Sequence, residues 1–144
     1  MIREMCAADT KAAAMIEKEL FTDSWTEQGF IDSLKEPTAL FLAAEGEDGS
    51  LQGYIGAYYV LDDAEIVNVA VTKSCQGQGI GLSLVHEMLT RLREKKVETV
   101  VLEVRIGNAP ARHVYEKAGF EAIGIRKDFY ELPREDAVIM KKDI

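Results

Sequence analysis

Glutamine and glycine alternate in Gln76-Gly77-Gln78-Gly79-Ile80-Gly81-Leu82, directly after the apolar run Ile66-Val67-Asn68-Val69-Ala70-Val71 and a short polar link. Leu84, Val85, Met88, Leu89 and Leu92 then recur at helical spacing. A strand that turns through glycines into a helix leaves unpartnered backbone N–H groups and a partial positive charge at the helix start. Glycines add tight turning and close approach of a ligand, so the chemistry suits a pyrophosphate bound with little help from side chains. No Gly-Lys-Ser/Thr follows, so no lysine reaches a terminal phosphate and no hydroxyl holds magnesium, which argues against a nucleotide-hydrolysing loop. Alternating Gly77, Gly79 and Gly81 also fit poorly the G-x-G-x-x-G spacing of a dinucleotide-binding turn. Strand-to-helix turns rich in glycine also occur without any ligand, and the motif alone leaves that reading open.

Two side chains downstream could move protons. Glu103 stands at the end of a predicted strand, where a carboxylate shielded from solvent can act as a general base through an ordered water. It could equally be a strand-end ion pair with Arg105 or Arg112. Tyr115 lies on the inward face of the next helix; a phenol, with a reference pKa of about 10, can hydrogen-bond a leaving group and protonate it. A buried tyrosine on a helix face can also be plain core. The helix itself is well punctuated. Asn108 is a good N-cap, Pro110 falls in the first turn, Ala111, Val114, Tyr115 and Ala118 share a face, and Gly119 supplies the stop.

The elements that must hold these groups follow from periodicity. We expect strands at 1–7, 38–45, 51–60, 64–72, 98–105, 121–128 and 135–142, and helices at 9–21, 26–36, 79–95 and 108–118. The turns Glu47-Asp48-Gly49-Ser50 and Leu61-Asp62-Asp63 join alternating apolar runs, so the early strands should be antiparallel hairpins. The strand-helix-strand units around residues 79–95 and 108–118 imply parallel pairing or a crossover, hence a mixed sheet covered by helices.

The Q-x-x-G-x-G turn and the string L-E-V-R-x-x-N-x-x-A-x-x-x-Y-E-x-x-G-F over residues 102–120 resemble the RimI branch of the GNAT acyltransferases, which acetylate N-terminal alanines of bacterial ribosomal proteins. Ser24-Trp25 with Phe30, and Arg126, Tyr130 and Glu135-Asp136-Ala137-Val138-Ile139-Met140, extend the resemblance to essentially all 144 residues. Gly77 departs from it, standing where many relatives carry a basic side chain, and so does Phe129, where a second tyrosine is usual. The resemblance implies an α+β (α/β/α) GNAT fold, a mostly antiparallel seven-stranded sheet with four helices, splayed between strands 4 and 5. It implies acetyl-CoA as cosubstrate, its pantetheine held by the backbone of Val69, Ala70 and Val71, with an N–H directed at the acetyl carbonyl. Gln76, Gly77, Gln78, Gly79, Ile80, Gly81 and Leu82 would bind the pyrophosphate, and Asn108, while capping its helix, would contact the pantetheine arm. Glu103 becomes the base and Tyr115 the acid of a direct attack by the amine. Trp25 and Tyr130 either line the peptide entrance or only pack.

Bulk properties bound the remainder. A chain of 144 residues, 47% hydrophobic, can bury one core, and we expect a single domain over 1–144. No apolar run approaches a membrane span, and Met1-Ile2-Arg3-Glu4 begins directly with structure, so a cytoplasmic protein is expected. Cys6, Cys75, His86 and His113 have no ligand spacing, which predicts no metal and no structural disulfide. Cys75, beside the phosphate loop, is either an inert thiol or a partner for a mixed disulfide with CoA. With 17 basic and 25 acidic residues the net charge is −8. That disfavours nucleic acid and suits a basic protein tail, though charge by itself points first to solubility. Arg91, Arg93, Lys95 and Lys96 sit where cations complement a helix C-terminus. An α-amine with a pKa of about 7.8 is about 14% neutral at pH 7, against about 0.04% for a lysine, which favours an N-terminal acceptor without excluding lysine or a small amine. A non-catalytic acyl-CoA-binding regulatory module is the remaining class, and it would need neither Glu103 nor Tyr115.

Overall fold

A computed structural model describes all residues from Met1 to Ile144. The strands are β1 (Ile2–Glu4), β2 (Ala39–Glu45), β3 (Leu51–Val60), β4 (Asp63–Val71), β5 (Thr99–Arg105), β6 (Glu121–Glu131) and β7 (Arg134–Asp143), and the helices are α1 (Thr10–Leu20), α2 (Glu27–Leu34), α3 (Ile80–Glu94) and α4 (Ala109–Lys117). One seven-stranded sheet runs in the order β1-β2-β3-β4-β5-β7-β6. Strands β1 to β4 form an antiparallel meander, β4 and β5 pair in parallel, and β7 lies antiparallel between β5 and β6. This is the mixed α+β architecture expected from the hairpin and crossover signals.

Side-chain alternation along the strands sorts the core into two layers. Leu40, Leu42, Ile55, Ala57, Ile66, Leu102 and Val104 pack with Leu84, Val85, Met88, Leu89 and Leu92 of α3 and Tyr115 of α4. Phe41, Ala43, Tyr54 and Ala70 pack on the other face with Ala13 and Ile16 of α1 and Phe30 of α2. The expected strand 1–7 ends at Glu4. The chain then turns through a short 3₁₀ segment, Ala7–Asp9, where the Asp9 carboxylate accepts the Cys6 N–H at 2.8 Å and both guanidinium nitrogens of Arg3 at 2.7 and 2.9 Å. Strand β6 runs three residues past its expected end at 128, through a left-handed Asp128 (φ 52°) whose N–H is held by the Asp136 carboxylate at 2.8 Å. That irregularity carries no glycine to announce it.

Two irregularities in the middle of the sheet matter for function. The β4–β5 ladder stops at Ile66↔Leu102, leaving Val67 to Val71 without a partner on that edge. At the same place the β3–β4 register jumps from Ala57↔Ile66 to Gly56↔Asn68, which makes Val67 the extra residue of a bulge. The bulge reverses the alternation of β4. Ile66 faces the α3/α4 layer, Val67 the α1/α2 layer, Val69 the α3/α4 layer again and Ala70 the α1/α2 layer.

Candidate active site

The divergence of β4 from β5 opens a pocket of about 860 Å³ that reaches from one face of the sheet to the other. Glu17, Trp25, Val69, Glu103, Asn108, Tyr115 and Tyr130 all line it. Leu102 and Val104 point into the α3/α4 layer, so Glu103 between them must project to the opposite, α1/α2 face. Tyr115 comes from α4 and is packed within the α3/α4 layer against Phe120. A carboxylate and a phenol from opposite faces of one sheet therefore meet the same cavity only because the ladder between β4 and β5 ends early.

Glu103 is not the end of its strand. Strand β5 continues to Arg105, paired with β7, and Glu103 is the first residue past the last β4 pair. The alternative ion pair with Arg105 or Arg112 does not form. Arg105 donates to the carbonyls of Pro133 (2.8 Å) and Leu132 (3.1 Å) in the β6–β7 turn, pairs with Glu135 at 3.2 Å and lies 4.2 Å over the Tyr130 ring. Arg112, on the far face, donates to the Ile106 carbonyl at 3.0 Å. The cation nearest the Glu103 carboxylate is Arg126, with Nε at 3.7 Å from Oε2, and Oε2 is buried without a hydrogen-bond partner.

Burial, with a smaller contribution from Tyr130, pushes the Tyr115 phenol well above its ordinary range. It is a firmly protonated acid at neutral pH. Tyr130 is shifted up by burial and then by the Glu103 charge, and the Glu65 carboxyl is raised by burial and by the same charge, partly offset by Arg126. The field of Glu103 thus reaches Tyr130 on the pocket wall and Glu65 further back along β4.

The glycine turn lies beyond this cavity, continuing from the other end of the free β4 edge; Ala70, Val71 and residues 76–82 do not line the pocket itself. Gly77 and Gly79 both have φ of 82°, a left-handed conformation that favours glycine, and a Cβ at either would meet nothing within 4 Å. The turn is thus an open cradle. Gly79 is the N-cap of α3, and the Gln76 side chain donates to the Val71 carbonyl at 3.0 Å, fastening the turn to β4. Ile80 and Leu82 pack on the α3/α4 layer, a Cβ at Gly81 would lie 3.8 Å from the Val71 side chain, and the side chain of Ala70 is buried on the opposite face, leaving only its backbone towards the free edge. Gln78 is exposed in the turn. Asn108 caps α4, accepting the Ala111 N–H at 3.2 Å, and still reaches the pocket wall. Trp25 packs 5.3 Å from Phe30 and 5.9 Å from Phe41, and its side chain also lines the pocket.

Sequence reading missed Glu17 and Asn68. Both leave a trace in the chain, a charge on the buried stripe of α1 with Ala13 and Ile16, and one amide inside an apolar strand. Cys6 and Cys75 are free thiols, and no three His, Cys, Asp or Glu side chains are grouped to hold a metal. No helix is long and apolar enough to cross a membrane.

The acetyltransferase (GNAT) family model matches residues 9–120. A Bacillus subtilis (strain 168) protein, provisionally named a ribosomal protein bS18-alanine N-acetyltransferase, is 39% identical over 140 residues, covering 96% of this chain and 92% of its own. The ribosomal protein bS18-alanine N-acetyltransferase of Escherichia coli (strain K12) is 33% identical over 141 residues, 96% of this chain and 94% of its own. The crystal structure of the ribosomal-protein-S18-alanine N-acetyltransferase from Escherichia coli superposes with a TM-score of 0.91 at 32% identity, covering all of this chain and 93% of that one. Fold, opening and relatives agree: the chain belongs to the GNAT family and is an N-acetyltransferase.

Proposed function

We propose that this enzyme transfers the acetyl group of acetyl-CoA to the α-amine of a protein N-terminus beginning with alanine, on a basic small-subunit ribosomal protein in the cytoplasm. The reading rests on one observation above the others. Glu103 and Tyr115, from opposite faces of the sheet, line a single through-going pocket at the β4–β5 divergence. Relatives named for bS18 alanine acetylation support the acceptor.

Acetyl-CoA fits what the chain offers. The left-handed, unobstructed Gly77 and Gly79 at the start of α3 would hold its pyrophosphate, with Gln76, Gln78, Ile80, Gly81 and Leu82 shaping the turn. The free edge over Val69, Ala70 and Val71 offers strand hydrogen bonds to a pantetheine arm, and Asn108 borders the same path. Bound there, acetyl-CoA supplies an already activated thioester. Glu103, whose buried Oε2 accepts no hydrogen bond from the protein, takes the amine proton through an ordered water. Tyr115 keeps its proton at Oη until the leaving sulfur needs it, and a backbone N–H of the free β4 edge stabilises charge on the acetyl oxygen. Trp25 and Tyr130 border the side from which the peptide enters, and the acidic chain suits a basic acceptor better than nucleic acid.

The test is acetyl transfer to two matched peptides, one with a free N-terminal alanine and one blocked at the N-terminus with an internal lysine, followed by product mass. Acetyl confined to the alanine amine is the expected result. Acetyl-lysine would overturn the acceptor assignment, and tight acetyl-CoA binding without product on a broad amine panel would overturn turnover altogether.

A further inference from the structure

Glu17 is a buried charge that the reaction outlined above does not use. It sits on α1, is 1% exposed and forms no salt bridge. Its Oε1 accepts the backbone N–H of Trp25 at 3.0 Å, in the loop between α1 and α2. Its Oε2 accepts the Asn68 amide at 2.6 Å and the Tyr54 hydroxyl, and the Asn68 amide also donates to the Tyr54 oxygen at 2.7 Å. Burial, reinforced by the Glu17 charge and hydrogen bond, holds the Tyr54 phenol far above its ordinary range, so the phenol stays a donor. Four elements close on one carboxylate: α1, the loop after it, β3 and β4.

Stability alone does not call for this arrangement. A buried carboxylate is costly to desolvate, and well-packed apolar replacements of buried polar networks are often neutral or stabilising. Glu17 does something an apolar side chain cannot: it fixes two walls of the pocket relative to each other. Asn68 is the residue where β4 resumes register after the Val67 bulge, within the free edge and immediately before Val69. Trp25 is the aromatic wall of the α1–α2 loop on the same cavity. We propose that Glu17 is a positioning residue for acetyl transfer. Through Asn68 it sets the β4 edge that receives the cosubstrate, and through the Trp25 N–H it sets the loop against which the acceptor lies. This inference rests on the proposed use of the pocket.

The test compares wild type, Glu17→Gln, and the double variant Glu17→Gln/Asn68→Asp. The single change keeps size but leaves an amide donor facing either the Asn68 amide or the Trp25 N–H; the double change lets the glutamine amide donate to the carboxylate introduced at position 68 while its oxygen accepts the Trp25 N–H. In Glu17→Gln we expect kcat on the alanine peptide to fall on the order of tenfold to a hundredfold, as for a misplaced reacting geometry. The acetyl-CoA dissociation constant, read by calorimetry, should rise by about threefold to tenfold as the β4 edge loosens while the glycine turn stays intact, and the double variant should regain most of both kcat and affinity. On the cosubstrate-free protein, amide hydrogen exchange at Trp25, Asn68 and Val69 should quicken in Glu17→Gln and slow again in the double variant. Unchanged exchange at those amides, or a kcat that falls only with the folded fraction, overturns the inference. Wild type that does not acetylate the alanine peptide counts against the proposed function instead, and the exchange experiment then decides the role of Glu17 by itself.

Discussion

Acetyl transfer to an amine, as proposed, asks Glu103 to accept a proton on the α1/α2 face of the sheet while Tyr115 holds one on the α3/α4 face. Each role has a distinct pH signature. Below an amine pKa of about 7.8 most acceptor is protonated and the base is needed; above it the amine is already free. Glu103→Gln should therefore lose activity on the order of a hundredfold at pH 7, and the gap to wild type should narrow above pH 8. A loss that is the same at every pH would assign Glu103 a structural role instead. Tyr115 is pushed up by burial, so its proton is not surrendered at moderately alkaline pH, and wild-type kcat should have no falling limb below about pH 10 from this group. Tyr115→Phe should lower kcat on the order of a hundredfold with little change in acetyl-CoA affinity, measured by single-turnover kinetics and calorimetry.

At the scale of elements, local chemistry decided most boundaries. The caps at Thr26, Gly79 and Asn108 and the two hairpin turns are written in neighbouring residues, and those elements lie within a residue or two of their expected limits. What was not legible is set by distant partners. The bulge at Val67 depends on how β3 and β4 register, and the Glu17 network joins residues 37 and 51 positions apart. Glu103 pairs with Arg126 rather than Arg105 because the sheet places β7, with its small Ala137, between β5 and β6. The early end of β1 is a further case, and it can be tested. The Arg3 guanidinium, followed by the Cys6 N–H, holds the Asp9 carboxyl down at about 2. Since this pKa is depressed, the stabilisation is complete above the unfolded value near 4 and is lost as pH falls through about 2. Asp9→Asn should cost about 2 kcal/mol at pH 7, about 1 kcal/mol near pH 3 and only a few tenths at pH 2, read by urea unfolding. A cost that stayed constant over that range would show packing, not charge, at this junction.

Across the whole molecule, charge is unevenly matched to the opening. The net charge is −8, and the pocket is lined by Glu17, Asp23, Glu103, Glu131 and Glu135 against one cation, Arg105, whose guanidinium is already committed to the β6–β7 turn and Glu135. A low-dielectric cleft lined by one sign of charge concentrates ligands of the other sign and speeds their encounter. A free N-terminus on a basic tail carries positive charge at the point of entry and behind it. Such attraction acts before chemistry, so it belongs in KM and not in kcat. Raising ionic strength from about 0.01 M to about 0.15 M shortens the screening length from about 30 Å to about 8 Å. Over that range, kcat/KM for an alanine peptide with several basic residues should fall on the order of tenfold, with kcat little changed. A peptide with the same N-terminal alanine and a neutral tail should respond far less, because only its amine is charged. Equal salt responses from the two peptides would mean that the negative charge of the chain serves solubility and leaves acceptor choice to the contacts inside the pocket.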